Sequence, residues 1–220
     1  MPTPKLFIEK ILDGAGIYGL SLDDTAVSRL ETYYDILSEY NLRTNLVSKG
    51  DMRRFPEYHI LDSLKIVSCQ DMSGISRMMD FGSGAGLPGI PLAVAFPHIE
   101  TYLVESRKKR CEFLSAAIER MSLSNAHVLQ SRAESLSGEY DRSFELVVTR
   151  ATVSLEMLFR CTGRFITAAG ALVSIKGDDI EKELGDLKNA VDPKLININV
   201  SPPKPVNNVR SGHIVTISAR

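Results

Sequence analysis

The stretch of this 220-residue chain that decides the fold is residues 80–92, which read D-F-G-S-G-A-G-L-P-G-I-P-L. Four glycines and two prolines fall within these thirteen positions, directly after a short and mostly apolar run over residues 75–81. Glycine is used where the backbone turns sharply or must approach another group closely. We therefore predict a strand that ends near residue 81, followed by a tight loop that lies against a ligand.

The chain before this loop is predicted to be helical, from residue 4 to about residue 70. Over residues 23–40, apolar side chains recur at three- and four-residue spacings, which is typical of one buried face of a helix. Pro56 fits the first turn of a further helix. We expect residues 1–72 to form an N-terminal helical extension that packs on the domain formed by residues 73–220.

From residue 75 onward, strand-like and helix-like stretches alternate. Strands are predicted at 75–81, 100–104, 126–130, 144–149, 170–175, 195–200 and 213–218. Helices are predicted at 89–96, 107–122, 154–168 and 178–190. Such alternation predicts an α/β fold with a doubly wound, mostly parallel sheet. The last two strands are separated only by a loop, so we expect them to pair antiparallel.

Composition limits the class of protein. Hydrophobic residues make up 44% of the chain and charged residues 24%, and the formal net charge is −1. No apolar stretch reaches the roughly 18 residues that cross a bilayer, and the first residues lack the apolar core of a secretory signal. Three unpatterned cysteines favour neither a disulfide framework nor a metal site. We expect a cytoplasmic protein that binds no membrane.

Two basic runs stand out against this neutral background. One is the run over residues 107–110, and the other is the looser set of Arg43, Lys49, Arg53 and Arg54. Each could contact nucleic acid, or could be an ordinary solvated surface.

The residues around the glycine loop separate three kinds of ligand. A phosphate-binding P-loop requires a lysine after the glycines, and none follows here. Residues 84–89 match the G-x-G-x-x-G of dinucleotide sites, but this short motif alone is weak. Asp80 precedes the turn, where a carboxylate would repel a pyrophosphate and suit a cation such as S-adenosylmethionine. Glu105, at the end of the second strand, could accept both ribose hydroxyls. Alternatively, Asp80 caps the turn and Glu105 caps the next helix.

The run over residues 80–92 resembles the cofactor motif of the bacterial 16S rRNA guanine-N7 methyltransferases, the RsmG or GidB family. Class I methyltransferases in general share only D-x-G-x-G-x-G, whereas the L-P-G-I-P-L continuation is much narrower. Further matches occur in the family's order at residues 45–48, 59–63, 106–114, 132–134 and 149–151. The resemblance implies a class I S-adenosylmethionine-dependent methyltransferase: a Rossmann-like, seven-stranded, mostly parallel sheet with an N-terminal helical extension.

The resemblance also implies roles for individual residues. Gly82, Gly84 and Leu87 would face the methionine and ribose parts of the cofactor, and Ala133 and Glu134 would flank the adenine, largely through backbone. Arg150 would close the pocket near the transferable methyl group, although it could instead be an ion-pair partner of Asp80. The residues implied to shape the substrate entrance are Asn45, Ser48 and His59.

The chemistry implied by the resemblance needs little from the protein beyond positioning. Guanine N7 carries a lone pair and no proton, so we expect no catalytic general base and no metal. His59 could equally be a cap or a satisfied core histidine. Lys176, at the end of the fifth predicted strand, could contact phosphate or be a solvated loop lysine. Aromatic residues that could stack on a base are Tyr40, Phe55 and Tyr58, although their spacing also suits a helix core.

The sequence therefore leads to one main hypothesis with alternatives. The main hypothesis is methylation of N7 of a guanine in 16S rRNA, guanine 527 by the resemblance, with free rRNA or a precursor of the small ribosomal subunit as partner. A methyltransferase acting on another RNA, a protein or a small molecule is the second, and a nucleotide-sensing module without turnover is the third. Nothing in the sequence demands a dimer, so a monomer is expected.

Overall fold

A computed structural model describes residues 4–150, 153–177, 180–201 and 212–220. The strands are β1 (Arg77–Phe81), β2 (Glu100–Glu105), β3 (Ala126–Gln130), β4 (Phe144–Arg150), β5 (Ile166–Lys176), β6 (Ile196–Ser201) and β7 (His213–Ala219). The helices are α1 (Pro4–Ile17), α2 (Asp24–Asn41), α3 (Lys49–Met52), α4 (Asp62–Leu64), α5 (Gly89–Ala95), α6 (Lys108–Met121), α7 (Leu155–Thr162) and α8 (Glu181–Ala190).

The strands form one seven-stranded sheet in the order β3-β2-β1-β4-β5-β7-β6. The pairs from β3 through β5 are parallel. β7 pairs antiparallel with both β5 and β6, which confirms the predicted antiparallel pairing of the last two strands. The predicted seven-stranded, mostly parallel sheet is thus confirmed.

Each face of the sheet is covered by its own hydrophobic core. On one face, side chains of α1 and α2 share a core with α5, α6 and Met78 of β1. On the other face, α7 and α8 pack with Met79 and Val147. Burial on both faces explains why the central strands read as apolar runs without polar alternation. A boundary near residue 72 remains our proposal, and it lies between the 3₁₀ turn Lys65–Ser68 and β1.

The predicted helix over 154–168 is too long. α7 ends at Thr162, a 3₁₀ turn spans Gly163–Phe165, and β5 begins at Ile166. The β-branched pair Ile166 and Thr167 favours strand geometry. Pairing of β4 with β5 is irregular here, because the register shifts between Phe144 and Leu146.

The helix predicted from Pro56 is present but is irregular. Pro56–Leu61 forms a π-helix, which continues into α4 and then into a 3₁₀ turn. Such π segments occur frequently at functional sites. Across the described ranges, no helix combines the length and the apolar character that crossing a bilayer requires.

Candidate functional site

The carboxyl ends of β1, β2 and β4 meet at one edge of the sheet, where parallel α/β sheets bind their ligands. A cleft of about 520 Å³ opens there. It is lined by Leu46, Val47, Ser48, Asp51, His59, Gly82, Ser83, Gly84, Ala85, Leu87, Glu105, Ser106, Arg107, Arg110, Arg150 and Val153. A larger cavity, about 660 Å³, lies elsewhere, against the first residues of β5 and the last residues of β7, and none of the predicted site residues lines it.

The glycine loop has the left-handed backbone that its composition predicts. Gly82, Gly84 and Gly86 have φ of +72°, +58° and +86°, a region that side-chain-bearing residues rarely adopt. The backbone N–H groups of Gly82 and Ser83 both donate to the carbonyl of Val104, which ties the loop to β2. Because glycine has no side chain, the backbone of Gly82 and Gly84 itself lines the cleft.

The N-terminal helices hydrogen-bond to this loop. The buried hydroxyl of Tyr33, on α2, donates to the carbonyl of Ala85 over 2.5 Å. This bond crosses 52 residues of sequence, so the helical extension contributes directly to the shape of the cleft.

Asp80 lies at the end of β1 as expected, but its side chain does not face the cleft. Its side chain is fully buried and it does not line the cleft. Oδ2 accepts a hydrogen bond from the backbone N–H of Gly89 at 3.0 Å, in the first turn of α5. Burial raises the pKa of Asp80 to about 7, and the Gly89 hydrogen bond and the charge of Arg150 only partly oppose this. Its proposed contact with a cationic ligand therefore has no support in this geometry, which favours the alternative that it caps the turn.

Glu105 is the carboxylate that does line the cleft. Oε1 accepts from the backbone N–H groups of Ser106 and Arg107 at 2.8 and 2.9 Å. Oε2 accepts from the Gly84 N–H at 3.1 Å and from Nη1 of Arg110 at 3.3 Å. Burial by itself would raise the pKa of Glu105, but these hydrogen bonds and the Arg110 charge outweigh it, so the pKa is lowered. The group is thus held as a carboxylate.

A smaller pocket of about 190 Å³ adjoins the cleft. Its walls include Ala133 and Glu134, and it shares Gly82, Glu105 and Ser106 with the main cleft. The two spaces together form an elongated site with Glu105 at their junction. This is the arrangement expected for a nucleoside whose ribose is bound by a carboxylate between two unlike ends.

Arg150, at the end of β4, lies on the floor of the cleft and bonds to the N-terminal helical segment. Nη1 donates to the Tyr58 carbonyl and to Oδ2 of Asp62, each at 3.2 Å. Nη2 lies 2.9 Å from Nδ1 of His59. Arginine has no acceptor, so Nδ1 must accept, which places the proton of a neutral imidazole on Nε2.

Asp62 is bound on both sides by positive charge. Its Oδ1 lies 2.6 Å from Nζ of Lys65, and both side chains are only 1% exposed. With Arg150 on Oδ2, the buried carboxylate has two cationic partners. An unpaired buried charge would be costly, so this arrangement fixes the position of the Arg150 guanidinium.

The structure separates the four predicted substrate residues. Ser48 and His59 line the cleft, and Ser48 also accepts from the Asp51 N–H to cap α3. Asn45 is exposed and lines neither pocket of the elongated site. Lys176 is not a solvated loop lysine: it is buried, and its Nζ lies 2.8 Å from Oε2 of Glu183. This ion pair between β5 and α8 occupies the ammonium group, so the geometry gives no support to the predicted phosphate contact, which stays a prediction.

The three candidate stacking aromatics also differ. Phe55 is fully buried in the core, so it cannot stack on a ligand. Tyr58 is covered by the guanidinium of Arg54, 3.8 Å from the ring centroid. Tyr40 is partly exposed and lies outside the cleft.

Several cleft residues were not among the predicted site residues, although the sequence had marked some of them as a basic run or as family matches. Ser106, Arg107 and Arg110 line the cleft because they follow Glu105 into the first turns of α6. Their position directly after the acidic end of β2 was the available signal. Val47 lies within the family match at residues 45–48 but was given no role, and Asp51 gave no signal, because only the packing of the N-terminal helices brings it to the site. Within the described ranges, no group of three or more His, Cys, Asp or Glu side chains could hold a metal ion.

Known proteins match this chain at the levels of family and fold. A sequence model of the GidB family, described as rRNA small subunit methyltransferase G, matches residues 26–201. The ribosomal RNA small subunit methyltransferase G of Thermoanaerobacter sp. (strain X514) is 31% identical over 186 residues, covering 84% of this chain and 78% of that protein.

Two solved structures share the fold at low identity. Precorrin-6y C5,15-methyltransferase from Geobacter metallireducens matches with a TM-score of 0.51 and 14% identity, over 79% of this chain and 90% of its own. TYW2 from P. horikoshii, solved in complex with MeSAdo, matches with a TM-score of 0.52 and 9% identity, over 66% and 56% of the two chains. The fold is that of class I methyltransferases, and the chain belongs to the rRNA small subunit methyltransferase G (GidB) family.

Proposed function

We propose that this protein transfers a methyl group from S-adenosyl-L-methionine to N7 of a guanine in 16S rRNA, guanine 527 by the resemblance. The observation that carries this proposal is the meeting of three features in one cleft: the glycine loop after β1, Glu105 after β2 and Arg150 after β4. Membership of a family named for rRNA methylation supports it.

The cofactor fits the residues that are present. Glu105 would hold the ribose hydroxyls, and the open backbone at Gly82 and Gly84 would accept the methionine part without side-chain obstruction. Ala133 and Glu134 would flank the adenine in the adjoining pocket. The MeSAdo complex of a protein with the same fold supports this class of ligand. When bound, S-adenosylmethionine supplies an electrophilic methyl group on a sulfonium.

The protein's own contribution is orientation. His59 is not placed to remove a proton, since Nδ1 accepts from Arg150. Guanine N7 needs no such removal, because its lone pair is already free. Holding a nucleophile in line with the methyl group can lower the barrier by about 7–11 kcal/mol. The hydrogen bonds that hold Arg150 to Asp62 and His59 support such positioning.

A ribosomal RNA substrate also bears on partner and compartment. Arg107 and Arg110 line the cleft, and arginine side chains commonly contact backbone phosphates. Such a substrate would place the protein where small ribosomal subunits assemble, in the cytoplasm. We propose that it acts there as a monomer.

The test is transfer of a tritiated methyl group to small-subunit RNA from a strain that lacks this gene. Free 16S rRNA, precursor particles and mature subunits are compared as substrates. Digestion to nucleosides should place the label in 7-methylguanosine. Label in another nucleoside, or no transfer to any of the three substrates, would refute the proposal.

A further inference from the structure

A second cleft, of about 340 Å³, lies beside the candidate site. It is lined by Glu39, Tyr40, Arg43, Thr44, Lys109 and Glu112. These residues come from the end of α2, the turn after it and the first turns of α6. The two clefts are close neighbours along the chain. Lys109 of the second cleft directly precedes Arg110 of the first, and Thr44 of the second cleft lies two residues before Leu46 of the first. The exposed Asn45 lies between them in sequence.

The charges of this second cleft are unevenly compensated. Glu39 lies 2.8 Å from Nη1 of Arg120, and Glu112 lies 4.0 Å from Nζ of Lys108, so both carboxylates have cationic partners. Arg43 and Lys109 are exposed, and in the described part of the chain neither forms an ion pair. The cleft lining has two basic and two acidic residues. Because the two carboxylates are paired with cations outside the lining, the two basic side chains remain uncompensated.

Tyr40 gives the cleft a partly exposed aromatic wall. Its ring packs edge-on against Phe113, with centroids 5.4 Å apart, so the orientation of the ring is fixed. Thr44 Oγ1 donates to the Tyr40 carbonyl at 2.8 Å, which holds the turn that carries Arg43. A fixed aromatic ring beside free cations is the combination that binds an unpaired nucleotide, by base stacking and phosphate contact.

We propose that this second cleft binds a nucleotide of the rRNA that neighbours the target guanine. Its base stacks on Tyr40, and Arg43 and Lys109 contact the backbone phosphates on either side. The paired carboxylates of Glu39 and Glu112 can accept hydrogen bonds from the ribose hydroxyl or from exocyclic amines. This inference rests on the proposed RNA substrate. It assigns to the second cleft the binding of the RNA strand next to the methylated base.

The experiment compares two double variants that remove the same charge. Arg43→Ala with Lys109→Ala removes the two free cations. Lys182→Ala with Lys188→Ala removes two exposed lysines on α8, which line neither cleft. For each, KM and kcat for methyl transfer to small-subunit RNA are measured across a salt series, together with the affinity for S-adenosylmethionine.

For the Arg43 and Lys109 variant, KM for RNA should rise roughly tenfold, and the slope of log affinity against log salt should fall by about 1.4. The maximal rate and cofactor affinity should stay near the wild-type values, which also shows that the variant is folded. Arg43→Lys with Lys109→Arg should retain the RNA affinity, because phosphate contact requires the charge. Tyr40→Phe should also retain it.

The outcomes separate the two proposals. If the wild-type protein transfers no methyl group to the RNA, the proposed function fails and the inference fails with it. If the wild type is active and the Arg43 and Lys109 variant matches the α8 control in KM and salt slope, only the inference is overturned. Equal losses in both double variants would also overturn it, because they would show a general charge effect.

Discussion

Nη2 of Arg150 lies 2.9 Å from Nδ1 of His59, so the end of β4 is bonded to the π-helix of the N-terminal helical segment across the floor of the cleft. The same guanidinium reaches the Tyr58 carbonyl and Asp62. Three acceptors on the N-terminal helical segment thus hold the side chain of Arg150, which belongs to β4. The cleft is therefore assembled from both parts of the chain.

Replacing Arg150 with lysine should impair methyl transfer although the charge is kept. A single ammonium group cannot reproduce the three contacts of a planar guanidinium. Transfer should fall by about 100-fold, and the free energy of unfolding should fall by about 1–3 kcal/mol. Single-turnover methylation and urea denaturation measure the two effects. Arg160→Lys, at an exposed ion pair with Glu156, is the control and should change neither.

Replacing Asp80 with asparagine should change how stability depends on pH. The folded pKa of about 7 lies above the ordinary value of 3.8. The folded protein therefore keeps a proton that the unfolded chain has released, and between those two values stability falls as pH rises. Asparagine does not titrate, so the variant does not lose stability for this reason as the pH rises. Relative to wild type, its free energy of unfolding should increase by up to about 4 kcal/mol from pH 4 to pH 8.

The measurement for Asp80 is urea denaturation of both proteins at several pH values. Taking the difference between variant and wild type removes the contributions of all other titrating groups. A difference that stays constant from acidic to alkaline pH would contradict the assigned burial of this carboxyl group.

Replacing Glu105 with glutamine should weaken binding of S-adenosylmethionine. The amide would lose the charge that strengthens hydrogen bonds to ribose hydroxyls, and its NH₂ group would face the N–H donors that now surround the carboxylate. The dissociation constant, measured by isothermal titration, should rise about 10- to 100-fold. Glu134→Gln is the matched control, since contact with the adenine there is expected through backbone; an equal loss there would count against the assigned roles.

Replacing Gly89 with alanine should destabilise the fold. A Cβ at this position would lie 2.6 Å from Oδ2 of Asp80 and 2.4 Å from Cδ2 of Leu103, both fully buried. Overpacking of this kind costs about 1–3 kcal/mol in the free energy of unfolding. Gly185→Ala on α8 is the control, because a Cβ there meets nothing within 4 Å. That change should stabilise the protein by about 0.5–1 kcal/mol.

Sequence periodicity predicted the regular elements of the α/β part well. The third strand, predicted at 126–130, is observed as Ala126–Gln130, and the helix predicted at 107–122 is observed as Lys108–Met121. These signals are local: a strand buried on both faces is a short apolar run, a helix repeats its apolar face every three to four residues, and glycine marks the turns between them. The boundary near Gly163 was missed because the apolar spacing of α7 continues into the start of β5.

The sequence by itself determined the strand and helix order, the glycine loop and the acidic end of β2, because each depends on residue type and spacing along a short stretch. Only the tertiary structure decided what surrounds each polar side chain. It buried Asp80 against Gly89, paired Lys176 with Glu183, and brought His59 and Asp62 to Arg150. The physical reason is that burial and charge pairing depend on which distant elements pack together, and the linear pattern of a segment does not contain that information.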